Sequence, residues 1–139
     1  TLVTHRSDGP ILYGVDIAVD PAYQGSGVAS GLYQARVDLG RKLGCTAFVA
    51  GARVAGFAQY ARRLTIHNYI AAVVRGELFD PTLSKQLQVG FTVVKVLPDY
   101  NPDPETLGFA ALIFMRLNRI RQNTFFTVRA SLPLEAPAA

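Results

Sequence analysis

Hydrophobic alternation marks the first element. From Ile11 to Val19 the odd positions read Ile, Tyr, Val, Ile, Val and the even ones Leu, Gly, Asp, Ala. A period of two with one strongly apolar face predicts a β-strand. Asp20-Pro21 ends it. A glycine-rich turn follows, then helical spacing: Val28, Leu32, Ala35, Leu39 and Leu43 form a stripe over Val28 to Leu43, and Gly44 is a natural stop. Cys45 to Ala50 is short and apolar and runs into Gly51, so it reads as a second strand. Strand, helix, strand over this length is a βαβ crossover, expected to be right-handed with parallel strands.

Further along, Gly51 to Gly56 reads as loop. Thr65 to Arg75 predicts a helix capped by Thr65, with Ile66, Tyr69, Ile70 and Val73 as its apolar stripe. Asp80-Pro81 starts another, with the aspartate as cap, Leu83 and Leu87 facing the core and Gly90 closing it. Phe91 to Leu97 and Leu107 to Leu117 are expected strands, separated by the polar turn Pro98 to Pro104. Thr124 to Val128 is a candidate for one more strand, and Ala136 to Ala139 for a frayed end. The pattern is that of an α/β chain with a mixed sheet.

Composition narrows the setting. The chain has 139 residues, 50% of them hydrophobic, enough for the core of one domain. No apolar run approaches the roughly 20 residues of a membrane-spanning helix, and the start lacks a signal-peptide pattern. One cysteine, Cys45, cannot form an internal disulfide, which suits a reducing, cytoplasmic setting. The net charge of +4 comes from 14 basic and 10 acidic side chains. The basic residues (Arg41-Lys42, Arg62-Arg63, Arg116, Arg119, Arg121) are spread over several elements. That argues against a nucleic-acid face but favours the approach of a polyanion.

The chemistry lies in Gln24-Gly25-Ser26-Gly27-Val28-Ala29. Glycines permit positive φ, successive N–H groups can form an anion nest, and the helix behind adds unpaired donors and its dipole. A pyrophosphate fits such a turn at the carboxyl end of a parallel strand. A simple strand-to-helix connector is the other reading. A P-loop is excluded because no lysine follows the glycines. A dinucleotide fingerprint is excluded because position 30 is Ser30, with Gly31 one residue off, and no acidic residue ends the second strand.

Ile17-Ala18-Val19-Asp20-Pro21-Ala22-Tyr23-Gln24-Gly25-Ser26-Gly27-Val28-Ala29 resembles the acetyl-CoA-binding segment of GNAT acetyltransferases, whose signature of Arg or Gln, two residues, Gly, one residue, then Gly or Ala is met by Gln24, Gly27 and Ala29. Gly90-Phe91 is similar to the end of that family's next helix. Gly51-Ala52-Arg53, Asp80 to Ser84 and Leu97 to Tyr100 resemble GNAT domains fused to a carbon–nitrogen hydrolase domain. The resemblance implies a GNAT-like acyl-CoA N-acyltransferase fold over 11–117, after a lead-in of 1–10 and before an extension of 118–139. It also implies acetyl transfer from acetyl-CoA to a primary amine, without a metal. Backbone groups of Ile17, Ala18 and Val19 would pair with the pantetheine arm. N–H groups of Gln24, Gly25, Ser26, Gly27, Val28 and Ala29, with the Ser30 hydroxyl, would hold the pyrophosphate. The N–H of Val19 or its neighbour would face the oxyanion. Asp16 is the candidate base, or else a structural aspartate bonded to backbone.

Two departures qualify the resemblance. Gln86 stands where many members carry the tyrosine that protonates the leaving thiolate; Ser84, Tyr60 or Tyr69 could substitute. Asp80 replaces an asparagine at the helix start and reads best as a cap. His5 and His67 lack partners in sequence, and Cys45 reads as core. The family's fold also carries about three strands and two helices before the strand that starts near Ile11. The resemblance therefore implies an N-terminally incomplete fold, with an upstream segment or a symmetric dimer covering the free edge. A non-catalytic coenzyme A-binding or regulatory module, and an α/β domain without cofactor, are the alternatives.

Overall fold

The computed structural model describes residues 5–117. The expected strand at Thr124 to Val128 and the end at Ala136 to Ala139 lie outside them. The elements are β1 (Ile11–Gly14), α1 (Val28–Lys42), β2 (Ala47–Arg53), α2 (Ile66–Val74), α3 (Leu83–Val89), β3 (Thr92–Leu97) and β4 (Ala110–Arg116), with 3-10 turns at Pro21–Tyr23 and Phe57–Gln59. The sheet order is β1-β2-β4-β3. β1 and β2 are parallel and the other pairs antiparallel. This is the mixed α/β architecture the hydrophobic pattern implies. No helix among the described residues is long and apolar enough to cross a membrane.

Three expectations are corrected. The first strand ends at Gly14, not Val19, because its register on β2 stops at Gly14↔Ala50. The second strand runs on to Arg53 through residues expected as loop, because β4 pairs with Gly51, Ala52 and Arg53. The stripe expected to bury α1 points the wrong way: Val28, Leu32, Leu39 and Leu43 are exposed, and Tyr33, Val37 and Gly40 are buried. At Gly40 a Cβ would come within 2.6 Å of Leu117 Cδ1 and 3.3 Å of Leu12 Cδ2. A bare glycine therefore sets how closely α1 approaches the sheet, and no count of apolar residues detects that.

Register assigns the faces. Leu12, Phe48 and Met115 share one face, with Ala50 opposite Ile113 and Ala52 opposite Ala111. Tyr33 and Val37 of α1, Ile66, Tyr69, Ile70 and Val73 of α2 and Leu83 of α3 join that face in one cluster. Its centre is aromatic: Phe91 meets Phe48 edge-on at 5.1 Å and Tyr33 at 6.0 Å between ring centroids. The odd positions of β1 lie on the other face, where Ile11, Tyr13 and Val15 are exposed. The strongly apolar side of the first strand is therefore not the side that the helices cover. On this outer face the Tyr13 and Tyr100 hydroxyls are hydrogen-bonded at 2.7 Å. Burial and the Tyr13 hydrogen bond push the Tyr100 phenol up to about 12.

The helix signals are met locally. Thr65 Oγ1 accepts the Asn68 N–H at 3.2 Å, and Gly90 closes α3 with φ 115°. Ile66, Tyr69, Ile70 and Val73 are all buried, as is Leu83. Asp80 is fully buried and caps α3: its Oδ1 accepts the N–H groups of Thr82 (2.9 Å) and Leu83 (2.8 Å). Oδ2 accepts from the Tyr69 hydroxyl (2.7 Å) and the Gly56 N–H (2.9 Å). One carboxylate thus ties α2, α3 and the segment after β2 together. Burial, then the Asp80 hydrogen bond, raises the Tyr69 phenol beyond the ordinary tyrosine range.

Candidate functional site

The cleft begins where β1 leaves the sheet. Beyond Gly14↔Ala50 the chain to Asp20 has no ladder partner, while β2 continues against β4 to Arg53. Two neighbouring parallel strands therefore splay apart. The departing segment is pinned by side chains. The Arg36 guanidinium of α1 donates to the Asp16 carbonyl. The Asp16 carboxylate accepts the Ile17 N–H at 2.7 Å, and Gln24 Nε2 donates to the Val19 carbonyl at 3.0 Å. Asp20 Oδ1 accepts the Ala22 N–H at 2.8 Å. Gln24, picked out as part of a binding motif, thus also acts structurally by holding the end of the splayed segment.

The turn bends through its two glycines. Gly25 and Gly27 lie at φ 77° and 86°, in the left-handed region that favours glycine. The Ser26 hydroxyl donates to the Tyr23 carbonyl and closes the turn. Gly27 is the N-cap of α1, with no side-chain cap bond and no acidic residue in the first turn. A helix of 15 residues therefore presents uncapped N–H groups and its positive end at the turn.

A cavity of about 950 Å³ opens there. Of the residues expected to bind cofactor, Ile17, Val19, Gln24, Gly25, Gly27, Val28, Ala29 and Ser30 line it, and Ala18 and Ser26 do not. Asp16 does not line it either; it is exposed, with one carboxylate oxygen on the Ile17 N–H. The α3 wall contributes Thr82, Lys85 and Gln88, and the far end Arg53, Tyr60 and Glu105. Arg53 bridges Asp103 (2.6 Å) and Glu105 (2.7 Å), and its hydrogen bond holds the Asp103 carboxyl below the usual carboxylate range. Of the hydroxyls weighed as acids, Tyr60 lines the cavity, whereas Tyr69 and Ser84 are buried in the Asp80 network outside it. His5 and His67 are exposed, and Cys45 is buried in the core.

Sequence reasoning missed Tyr33. It lines the cavity, and its hydroxyl accepts a hydrogen bond from Gln86 Nε2 at 2.9 Å. The signal was available: Tyr33 lies four residues after Ala29 and three after Ser30, on the same helix face. Lys85 and Arg53, the cations of the lining, were missed as well, because their role depends on tertiary placement.

The splayed strand, glycine turn and uncapped helix are matched by a family model. The acetyltransferase (GNAT) family model covers residues 1–73, more than half of the chain. The chain belongs to the GNAT acetyltransferase family. Among curated relatives it is 34% identical over 119 residues to a probable hydrolase, YhcX, of Bacillus subtilis, covering 86% of this chain and 23% of that protein. It is 28% identical over 113 residues to an uncharacterized N-acetyltransferase, YkwB, of the same organism, covering 81% of this chain and 50% of that one. The chain thus spans about a quarter of one relative and half of the other. The hydrolase name of the first echoes the expected association of this GNAT type with hydrolase domains. Among solved structures, a GNAT-like decarboxylase, GphF, in complex with isobutyryl-CoA superposes with TM-score 0.70 at 22% identity, over 82% of this chain and 60% of that one. That likeness shows the GNAT fold.

Proposed function

We propose that this domain transfers an acetyl group from acetyl-CoA to a primary amine. The observation that carries the reading is the uncapped start of α1 behind Gly25 and Gly27 at the cavity wall. N–H groups from Gln24 to Ala29, with the Ser30 hydroxyl, hold the pyrophosphate. The pantetheine arm runs along Ile17, Ala18 and Val19 in the splay. The Ile17 N–H is engaged by Asp16 and the Val19 carbonyl by Gln24, so the arm uses the remaining backbone groups. No described residue accepts the Val19 N–H, which leaves it for the oxyanion.

The amine must lose a proton, and Asp16 is the base of this reading. Its second carboxylate oxygen takes no hydrogen bond among the described residues. Transfer to a panel of amines, followed by release of free thiol, tests the activity. Asp16→Asn is expected to lower kcat/KM by about 100-fold, the lower end of what general bases contribute. Unchanged kinetics in that variant would assign Asp16 to holding Ile17 alone. Gln86, where an acid is usual, favours a second reading: a module that binds coenzyme A without turnover. Coenzyme A affinity with no thiol release from any amine would select it.

A further inference from the structure

Gln86 is an anomaly of this wall. Its side chain is buried, Nε2 donates to the Tyr33 hydroxyl, and Oε1 is the buried side-chain polar atom without a partner among the described residues. Tyr33 is also buried apart from its place in the cavity lining, and no described residue accepts its hydroxyl hydrogen. A buried polar pair that leaves a donor and an acceptor unused is uncommon in folded proteins. Here both unused groups belong to one pair, beside the cavity.

We propose that Tyr33 is the acid that protonates the departing thiolate, and that Gln86 is its positioning residue. The inference rests on the acetyl-transfer reading above. The amide fixes the phenol by donating to its oxygen, so that the O–H hydrogen remains available. Edge-on packing against Phe91 holds the ring. At 1.5 Å rise per residue, Tyr33 lies roughly 7–8 Å along α1 from Val28. That is back from the pyrophosphate turn, in the direction in which the arm follows Val19 and Ile17. The amine nitrogen attacks the thioester carbon, the C–N bond forms and the C–S bond breaks with its electron pair going to sulfur. The Tyr33 O–H proton passes to sulfur, giving free thiol and a phenolate. The proton that Asp16 takes from the amine is passed on through water to the phenolate, which restores both the hydroxyl and the carboxylate.

The roles separate kinetically. Tyr33→Phe keeps the ring and removes the proton: kcat is expected to fall about 100-fold, with coenzyme A affinity within about threefold of wild type. Gln86→Leu should lower kcat less, and Gln86→Glu, which can still hydrogen-bond the hydroxyl, should change the pH profile of kcat. Tyr33→Phe that folds, binds coenzyme A and keeps wild-type kcat would overturn the proposal. So would a loss of coenzyme A affinity matching the loss of kcat, which is the result of a structural tyrosine. Failure of the wild-type chain to release thiol from acetyl-CoA with any amine would instead sink the transferase reading, and the role of Tyr33 with it.

Discussion

Gly27→Glu is expected to raise the dissociation constant for coenzyme A by at least about 100-fold while leaving a folded chain. Gly27 sits at φ 86° as the N-cap of α1 and lines the cavity. An L-residue held in that conformation costs about 1–2 kcal/mol, which a domain of ordinary stability survives. Around Gly27 a Cβ would meet nothing within 4 Å, so the damage is not steric within the protein. It falls on the ligand: a side chain fills the approach to the N–H groups, and its carboxylate sits where an anion is to be held. Gly27→Ala carries the strain and part of the bulk without the charge, and should weaken binding much less. Calorimetric titration of both variants, with their thermal midpoints, checks the pair. Equal losses from Ala and Glu would show that backbone strain, not charge, decides.

Asp80→Ala is expected to remove about 3 kcal/mol of stability and lower the melting temperature by about 10–15 °C. The carboxylate accepts four hydrogen bonds, from Thr82, Leu83, Gly56 and Tyr69. Truncation orphans those donors in a buried place, and the cost of unmet buried donors exceeds the value of the bonds themselves. The site suffers too, because Gly56 and Thr82 line the cavity that Asp80 positions them around. Differential scanning calorimetry measures it; a shift below about 3 °C would mean that water replaces the carboxylate.

The sequence made some elements legible and misled on others, for physical reasons. Capping chemistry is local, so Thr65, Asp80 and Gly90 were read correctly from a few neighbouring residues. The glycine turn was legible for the same reason: left-handed φ at Gly25 and Gly27 follows from residue type. Burial of α1 was not. Its leucine stripe outscores Tyr33, Val37 and Gly40 on hydrophobicity, yet close approach at Gly40 and the ring contact of Tyr33 with Phe91 decide which side meets the sheet. The same error hid Tyr33 as a site residue. The length of β1 was misread because alternation continues through Val19 after the ladder has stopped at Gly14. That mismatch, strand-like sequence without a strand partner, is what opens the cleft.

Titration of the wild-type chain with coenzyme A, dephospho-coenzyme A and pantetheine tests the pyrophosphate site most directly. The three ligands share the arm: dephospho-coenzyme A lacks only the 3′-phosphate, whereas pantetheine lacks the pyrophosphate together with the adenosine it carries. Dephospho-coenzyme A should bind close to coenzyme A, and pantetheine at least about 100-fold more weakly, the value of a few charge-assisted hydrogen bonds at a helix start. Pantetheine binding as tightly as coenzyme A, or no coenzyme A binding at millimolar ligand, would contradict the account.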